Sequence, residues 1–504
     1  MPRERVPSSI VHRLPTAPNP VIISHMATAS RTDTPPAPHP PRSPAIADEQ
    51  VPAHIAVPAP ERTIPYRALL LFYLPLGFSG LMMTLDLPIV NAFLNRLPNP
   101  DTSVAALRVA FSLALVYEAS HISMIDASTA LSADLTVFRM LRRFYLVMAG
   151  VLLVVASIVA FTPLYDLIVR GLMNIPPEVA AAARPAVWAF LLWPIPIGWR
   201  RLHQGALIKH GHPRPVGAGG LVRLTSLAIG LAFFVWFGTG GVIRIEPAAI
   251  AVLAMLVSVT AEAVAVHGWT QRVLRTMPET TPGKPAPSYR DLRRFVFPLS
   301  GTAVMSTLVQ PVITAGIASA AIAWASPGGS VVAVASYAIA WSMAFLVIGP
   351  TFSMTQASIT WHSSPDAQVR TRGPHVLLAM GFGLAALVAL AVFTPFAYWL
   401  FTTLLQSPPQ TALMAVSVAY WLIPLPILHS ISYMLRGKLI ARHRPQAVRL
   451  AQLIDLVAII AIVLAACTLL SPLLQGLPAA PLAAIAYDLM LCVDIAVLAF
   501  TLRR

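Results

Sequence analysis

Apolar residues run through this chain in stretches of about 20 to 30, separated by short polar interruptions, from Tyr66 to the last residues. Twelve stretches can be read: 66–95, 104–131, 144–170, 180–208, 216–243, 247–275, 291–322, 331–361, 374–405, 411–441, 446–475 and 479–503. Each reaches the roughly 20 residues that a helix needs to cross the hydrocarbon core of a bilayer. The pattern predicts an all-α polytopic membrane protein of twelve transmembrane helices. Residues 1–62 differ, holding 14 of the 47 prolines and almost no aromatic side chains. Such a segment buries too little apolar surface to fold, so a disordered Pro-rich tail is expected there.

The twelve stretches divide into two copies of six. In the first, Pro75, Leu76, Met82, Thr84, Leu85 and Pro88 recur 223 residues later as Pro298, Leu299, Met305, Thr307, Leu308 and Pro311. In the second, Ser123-Met124-Ile125-Asp126-Ala127-Ser128 returns after 230 residues as Ser353-Met354-Thr355-Gln356-Ala357-Ser358. Farther on, Phe161-Thr162-Pro163 matches Phe393-Thr394-Pro395, and Gly205, Leu207, Ile208 and Pro213 match Gly437, Leu439, Ile440 and Pro445, all displaced by 232. Pro194 and Pro196 match Pro424 and Pro426, and Glu262 falls on Asp494. Shared leucines arise by chance between apolar helices; prolines and a hexapeptide in the same order do not. Equivalent stretches lie six helices apart, an even number, so the copies run in the same direction and form a parallel repeat. The expected lobes are 63–277 and 291–504, joined by a linker at 278–290.

Composition agrees with a membrane protein and narrows its class. Only 11% of residues are charged, 57% are hydrophobic and the mean hydropathy is +0.71. Soluble domains carry roughly 25% charged residues. The two cysteines, Cys467 and Cys492, both lie in apolar stretches and offer no metal-ligand spacing. No phosphate loop, nucleophile elbow or dinucleotide fingerprint is present, so no catalytic residues, metal or enzymatic activity are expected. The net charge of +15 would suggest a nucleic-acid partner in a soluble protein. Here 25 of the 35 basic residues fall on helix ends or loops on the side of the tail, five lie in the tail itself and five on the opposite side. That asymmetry predicts both termini in the cytoplasm, with the bilayer as partner and no nucleic acid. Lysine is nearly absent, only Lys209, Lys284 and Lys438, beside abundant arginine, alanine and proline, a bias of GC-rich bacterial genomes, so a bacterial inner membrane is expected.

Leaving aside Asp166 and Asp291 near the ends of their stretches, seven acidic residues fall within them: Asp86, Glu118, Asp126, Glu262, Asp455, Asp488 and Asp494. A charged side chain at the centre of a membrane helix costs at least about 2.5 kcal/mol, so such residues face the bundle interior or a water-filled cavity. At 100° per residue, Glu118, His121 and Asp126 share a broad face, and a carboxylate beside an imidazole exchanges protons near neutral pH. Asp86 stands two residues before Pro88, where a helix bend would free a backbone carbonyl for an ion. Asp86, Glu118, His121, Asp126, Asn91 and Glu262 are therefore candidates for substrate or ion coupling; structural ion pairs and polar caps compete with that reading. Pro75, Pro88, Pro298, Pro311, Pro194, Pro196, Pro424 and Pro426 are candidate hinges. The run from Arg200 to Arg214 reads as a basic loop at a cytoplasmic helix end, with Arg200, Arg201, His203 and Lys209 as candidate gate residues. Its plainer reading is contact with anionic lipid.

This layout resembles the multidrug, oligosaccharidyl-lipid and polysaccharide exporter superfamily. The major facilitator family shares the six-plus-six arithmetic, but Ser132 to Arg143 lacks its glycine-and-basic loop. Pro75-Leu76-Gly77, Pro88-Ile89-Val90-Asn91 and His203-Gln204-Gly205-Ala206-Leu207-Ile208-Lys209-His210 are similar to stretches of the ANK-type (progressive ankylosis) branch. The resemblance implies two six-helix lobes around a central cavity, working as a monomer by alternating access without a cofactor other than a coupling H+ or Na+. It implies a small-molecule or lipid-linked substrate. A coupled exporter of a small solute leads; a lipid-linked saccharide flippase and an ANK-like exporter of an organic anion or pyrophosphate are the alternatives. It also implies a cation site at Asp86, in a cavity that the sequence makes look acidic.

Overall fold

The computed structural model describes residues 63–504 except 95, 96, 98, 174, 176, 240–244, 283–286, 406 and 504. The tail at 1–62 lies outside the described residues, as does part of the 278–290 linker. Among the described residues eighteen α-helices follow one another in two equivalent sets of nine. The first set is α1 (Tyr66–Leu94), α2 (Pro100–Ile122), α3 (Met124–Leu131), α4 (Leu135–Phe161), α5 (Leu164–Asp166), α6 (Pro177–Phe190), α7 (Pro194–Lys209), α8 (Arg214–Thr239) and α9 (Pro247–Leu274). The second is α10 (Tyr289–Ala323), α11 (Gly329–Ile348), α12 (Met354–His362), α13 (Ala367–Phe393), α14 (Phe396–Trp399), α15 (Pro409–Trp421), α16 (Leu425–Ala441), α17 (Pro445–Cys467) and α18 (Ala479–Arg503). Each element of the first set has its counterpart nine later. The fold is thus two parallel six-span lobes.

Among the described residues ten helices, counting α2 with α3 and α11 with α12, are long and apolar enough to cross a membrane, and the pairs α6–α7 and α15–α16, each taken as one span, bring the spans to twelve. Those pairs bend by 42° and 44°. Pro194 opens α7, while Pro424 and Pro426 stand at the start of α16, where a missing N–H costs nothing. The prolines therefore begin the second half of a broken span rather than kink a continuous one. By contrast α1 continues through Pro75 and Pro88, and α10 through Pro298 and Pro311.

Two expected boundaries shift. The third and ninth spans begin at Leu135 and Ala367 rather than near 144 and 374, because Asp134 and Asp366 cap them by accepting from Val137 N and Gln368 N. Arg139, Arg142 and Arg143 consequently sit on the first turns of a helix. Both spans end at the Phe-Thr-Pro motif, with Thr162 and Thr394 extended at almost the same backbone angles (φ −108° in each, ψ 171° and 167°), and each leads into a π-helical turn. Linker residues are not free of the bundle: Leu135 N donates to Pro278 O, and Thr281 bonds the Asp134 carboxylate.

Packing differs between the two ends of the bundle. At the end where α1, α4, α8, α10, α13 and α17 begin, here the near end, one apolar core joins both lobes through Tyr73, Leu76, Met124, Phe138, Leu207, Leu299, Met354, Trp361 and Leu439. At the far end each lobe has its own core, around Leu94, Leu107, Phe190 and Val252 in the first and Ile317, Tyr337, Phe401 and Leu491 in the second. Hydrogen bonds between lobes follow the same rule. Tyr73 Oη donates to Pro350 O (2.8 Å), Ser353 Oγ to Leu76 O (2.8 Å), and Ser123 Oγ meets Ser300 Oγ at 3.1 Å.

Within each lobe one close helix seam is repeated residue for residue. A Cβ on Gly205 would lie 2.5 Å from Ser128 Cβ and 2.6 Å from Ile125 O, and one on Gly437 would lie 2.5 Å from Ser358 Cβ and 2.6 Å from Thr355 O. Ser128 Oγ donates to Leu202 O and Ser358 Oγ to Met434 O. The absent side chains allow α7 to lie against α3, and α16 against α12. Gly205→Ala and Gly437→Ala are each expected to destabilise the protein by about 1–3 kcal/mol through overpacking, read as a lowered midpoint of thermal unfolding in detergent. Gly150→Ala, where nothing lies within 4 Å, serves as the neutral control.

Candidate functional site

Between the lobes, beyond the near-end core, lies a cavity of about 480 Å³. Its walls come from α1, α2, α3, α7, α8 and their C-lobe counterparts. Leu76, Leu87, Phe111, Leu115, Phe345 and Phe352 make it apolar, while Asp86, Glu118, Asp126, Arg200, Arg201, Arg223 and Arg436 give it charge and Gln204, Thr355 and Gln356 neutral polar groups.

The arginines are the largest departure from the sequence reading. Arg200 is only 3% exposed, and Arg223 stands nine residues into α8, about 14 Å from its start. They are inside the bundle, not in a basic loop. The reason is that α7 continues as helix to Lys209, which turns Arg200 and Gln204 inward onto α9. Arg200 pairs with Glu262, Gln204 Nε2 donates to Glu262 Oε1 (3.1 Å), and Arg223 Nε donates to Asp86 Oδ2 (2.6 Å) with Glu262 3.7 Å from its Nη1. The C-lobe answers with Arg436, held by Asp494 (3.0 Å), Asp455 (3.3 Å) and Gln452 (2.8 Å), while Ser432 donates to Asp494.

At a displacement of 232 these two clusters coincide. Gln204 corresponds to Arg436, Arg223 to Asp455, Glu262 to Asp494 and Arg200 to Ser432. The same three helices of each lobe are tied by buried polar side chains, with the sign of the charge redistributed among equivalent positions. A single unpaired guanidinium or carboxylate at this depth is expensive; a pair with its hydrogen bonds satisfied is tolerated. The cavity is therefore not the acidic chamber the sequence suggests.

The coupling candidates separate into three groups. Asp86 and Glu262 are bound to arginine, and because α1 is unbroken at Pro88, Asp86 meets Arg223 rather than a helix break. Glu118 and Asp126 have no cation within ion-pairing distance among the described residues: Glu118 accepts from Trp193 Nε1 (2.9 Å) and Asp126 from Gln356 Nε2 (2.6 Å). Asp126 and Gln356 are equivalent positions of the repeat, so this bond joins the lobes across their own pseudo-symmetry axis. His121 and Asn91 stand apart from the cavity. His121 bonds Tyr117 O and lies edge-on to Tyr145, so no carboxylate–imidazole pair forms; its i−4 carbonyl captures the ring. The carboxamide oxygen of Asn91 has no hydrogen-bond partner among the described residues.

The gate candidates divide too. Arg201 lines the cavity with its guanidinium against Met83 Sδ and no carboxylate within ion-pairing distance among the described residues. His203 turns away, bonding Trp199 O (2.8 Å) and His267 Nδ1 (3.1 Å). Lys209 reaches Ala130 O and lines a second cavity, about 920 Å³, at the near end between the lobes, where Arg294 and Arg444 also stand. Next to it, burial pushes the His210 imidazole below its ordinary range while its Nε2 lies 2.9 Å from Ser132 O. Sequence reasoning missed Arg223, Arg436, Trp193 and Gln356 as site residues. For Arg223 the available signal was depth, nine residues into its helix; Arg436 stands five residues from the end of α16 and gave no such signal.

No protein-family model matches the chain, and no curated protein matches it. Solved structures do. A MOP superfamily transporter from Pyrococcus furiosus, described as having a reverse polarity of its binding pocket that suggests a different function, superposes with a TM-score of 0.67 at 16% identity, over 87% of this chain and 96% of that one. A multidrug resistance MATE family transporter in an outward-facing conformation gives 0.64 at 16% identity, over 86% and 94%. A MATE structure in the straight conformation gives 0.63 at 16%, over 86% and 97%. The chain has the fold of the MATE and MOP superfamily transporters, and the proteins that share it are transporters rather than enzymes.

The paired charges predict a non-additive response. Asp86→Leu alone strands Arg223 and is expected to destabilise the protein by about 3–5 kcal/mol, and Arg223→Met alone by a similar amount. Together they should recover most of that loss. Thermal unfolding of the two single variants and the double variant gives the coupling; additive losses would show that the pair is not the stabilising unit.

Proposed function

We propose that the chain is a secondary active transporter that carries a small solute across a membrane by alternating access. The observation behind this reading is the inter-lobe cavity at membrane depth, sealed by a shared core on one side only. With Arg200, Arg201, Arg223 and Arg436 set aside as buried in the bundle, 21 of the 25 basic residues assigned to the near side remain, so the near end is read as cytoplasmic. The lobes are then closed toward the cytoplasm, and loading from inside requires the near-end seam to open. The membrane is taken to be the bacterial inner membrane.

Coupling falls to the carboxylates that arginine does not neutralise. Asp126 both lines the cavity and holds Gln356 of the opposite lobe, so a change in its charge alters the cavity and the seam together. A protonated Asp126 exchanges an acceptor for a neutral carboxyl and weakens the charge-assisted bond across the axis. Glu118, bonded to Trp193 at the break between α6 and α7, is placed to act in the same way on a bend within the lobe. A second reading is favoured by Arg201: its guanidinium suits a solute with an anionic group, which fits an organic-anion exporter better than a carrier of simple cations. No comparable observation favours a lipid-linked saccharide.

Reconstitution into proteoliposomes with an imposed proton gradient tests this. Internal pH is followed while organic cations, organic anions and lipid-linked sugars are offered in turn. One solute class should drive proton movement, Asp126→Asn should abolish it without loss of folding, and Arg201→Gln should abolish the response to anions alone. Unchanged proton movement in both Asp126→Asn and Glu118→Gln would overturn the coupling assignment.

A further inference from the structure

Arg201 on α7 and Arg436 on α16 reach the central cavity from opposite lobes. At a displacement of 232 they stand about one turn apart on equivalent helices, Arg201 answering to Tyr433 and Gln204 to Arg436. Both guanidiniums act on the charge of Asp126, which Gln356 holds across the axis, and neither forms an ion pair with it among the described residues. Tyr433, also on the cavity wall, faces the same carboxylate. Arg201 is faced in turn by Arg200 beside it, Arg223 of α8, Glu262 of α9 and Glu118 of α2.

These charges fall into matched and unmatched groups. Arg200 and Arg223 are matched by Glu262 and Asp86, and Arg436 is held by Asp494 and Asp455. That leaves Arg201 without an ion pair, and Asp126 and Glu118 without one, among the described residues of the cavity wall. Glu118 is engaged inside the N-lobe by Trp193, and its C-lobe counterpart is Ile348. Hydrogen-bond donors are also in surplus. Among the described residues lining the cavity, Arg200 Nε, Arg201 Nε, Arg223 Nη1 and Arg436 Nε are buried without a hydrogen-bond partner, against the acceptors Asp86 Oδ1 and Gln204 Oε1. A surplus of guanidinium N–H groups is satisfied by an oxyanion, which accepts two of them at once. Phe111, Leu115, Phe345 and Phe352 keep the rest of the wall apolar, so the anion that fits carries an apolar body.

An anionic group beside an ionised Asp126 sets two negative charges against the same guanidiniums at membrane depth, where like charges repel strongly. A proton on Asp126 removes that repulsion, and the cavity then carries the same total charge empty and loaded. For a cationic solute the sign reverses, and loading releases a proton instead. We propose that the cavity takes one amphipathic organic anion together with one proton on Asp126, and that the two cross the membrane in the same direction. This rests on the organic-anion reading of the transporter, and adds to it the sign of the coupling and the single charge of the solute.

Naphthalene-2-sulfonate serves as the probe, because it stays ionised at every pH the protein tolerates and carries no proton through lipid on its own. Thermal unfolding of the full chain in an uncharged detergent is followed against the probe at a series of pH values. Half-saturation in the wild type should fall about tenfold per pH unit of acidification across the range where Asp126 takes up its proton. In Asp126→Asn it should be low and independent of pH, and Arg201→Gln should bind weakly throughout. In phosphatidylcholine vesicles holding a pH dye, with no pH gradient, an inward gradient of the probe should acidify the interior through the wild type. Neither Asp126→Asn nor protein-free vesicles should show that acidification. Should Asp126→Asn fail to fold, the wild-type pH series and the acidification decide by themselves. No stabilisation by the sulfonate at any pH, whether or not benzyltrimethylammonium stabilises, would overturn the anion reading and the proposal with it. Half-saturation that ignores pH, or an interior that turns alkaline, would overturn the proton pairing and leave the anion reading in place.

Discussion

Everything at the centre of this molecule depends on keeping guanidinium groups charged inside an apolar bundle. Arg200, Arg223 and Arg436 are each met by carboxylates from neighbouring helices, and these contacts tie α7, α8, α9 and α1 into one block and α16, α17 and α18 into another. Packing between membrane helices has no hydrophobic driving force of its own, since lipid chains are as apolar as leucine. Close approach of small residues and buried polar links supply it instead. The glycine seams at Gly205 and Gly437 and the ion-paired clusters beside them are the two forms of that supply, and both appear once in each lobe.

With each lobe internally braced, the soft part of the structure is the boundary between them. Its apolar contact is confined to the near end, and beyond the bonds of Ile64 and Tyr66 to Gln368, Arg372 and His375 at the near-end rim, its hydrogen bonds are few: the backbone carbonyls of Leu76 and Pro350, the Ser123–Ser300 pair and Asp126–Gln356. Of these only Asp126 can change charge. A rigid pair of lobes joined by a narrow seam, with one ionisable group in the seam and in the cavity at once, is the arrangement alternating access requires.

The sequence disclosed the twelve spans, the parallel repeat and the two-lobe plan because those depend on patterns along the chain: apolar length, proline position and the returning hexapeptide. It also singled out Asp86, Glu118, Asp126 and Glu262, since acids at membrane depth are rare. What it could not disclose was partnership. Arg200, Arg223 and Arg436 looked like topology markers because their carboxylates lie between 19 and 137 residues away in the chain. His121 shared a helical face with Glu118, but face alone does not decide which neighbour a ring meets, and the Tyr117 carbonyl and Tyr145 took it. The sign exchange between Arg223 and Asp455 became meaningful only once both were seen against the same pair of helices.

The claim on which the functional account rests is that the lobes separate at the near end. Spin labels at positions 139 and 370, on the exposed first turns of α4 and α13, with Cys467 and Cys492 replaced by serine, report that separation directly through the distance between them. In lipid nanodiscs the account predicts two distance populations, with the Asp126→Asn variant shifted toward the longer one because the bond to Gln356 is weakened. A single unchanging distance in the wild type and in Asp126→Asn, under every proton and solute condition, would contradict it.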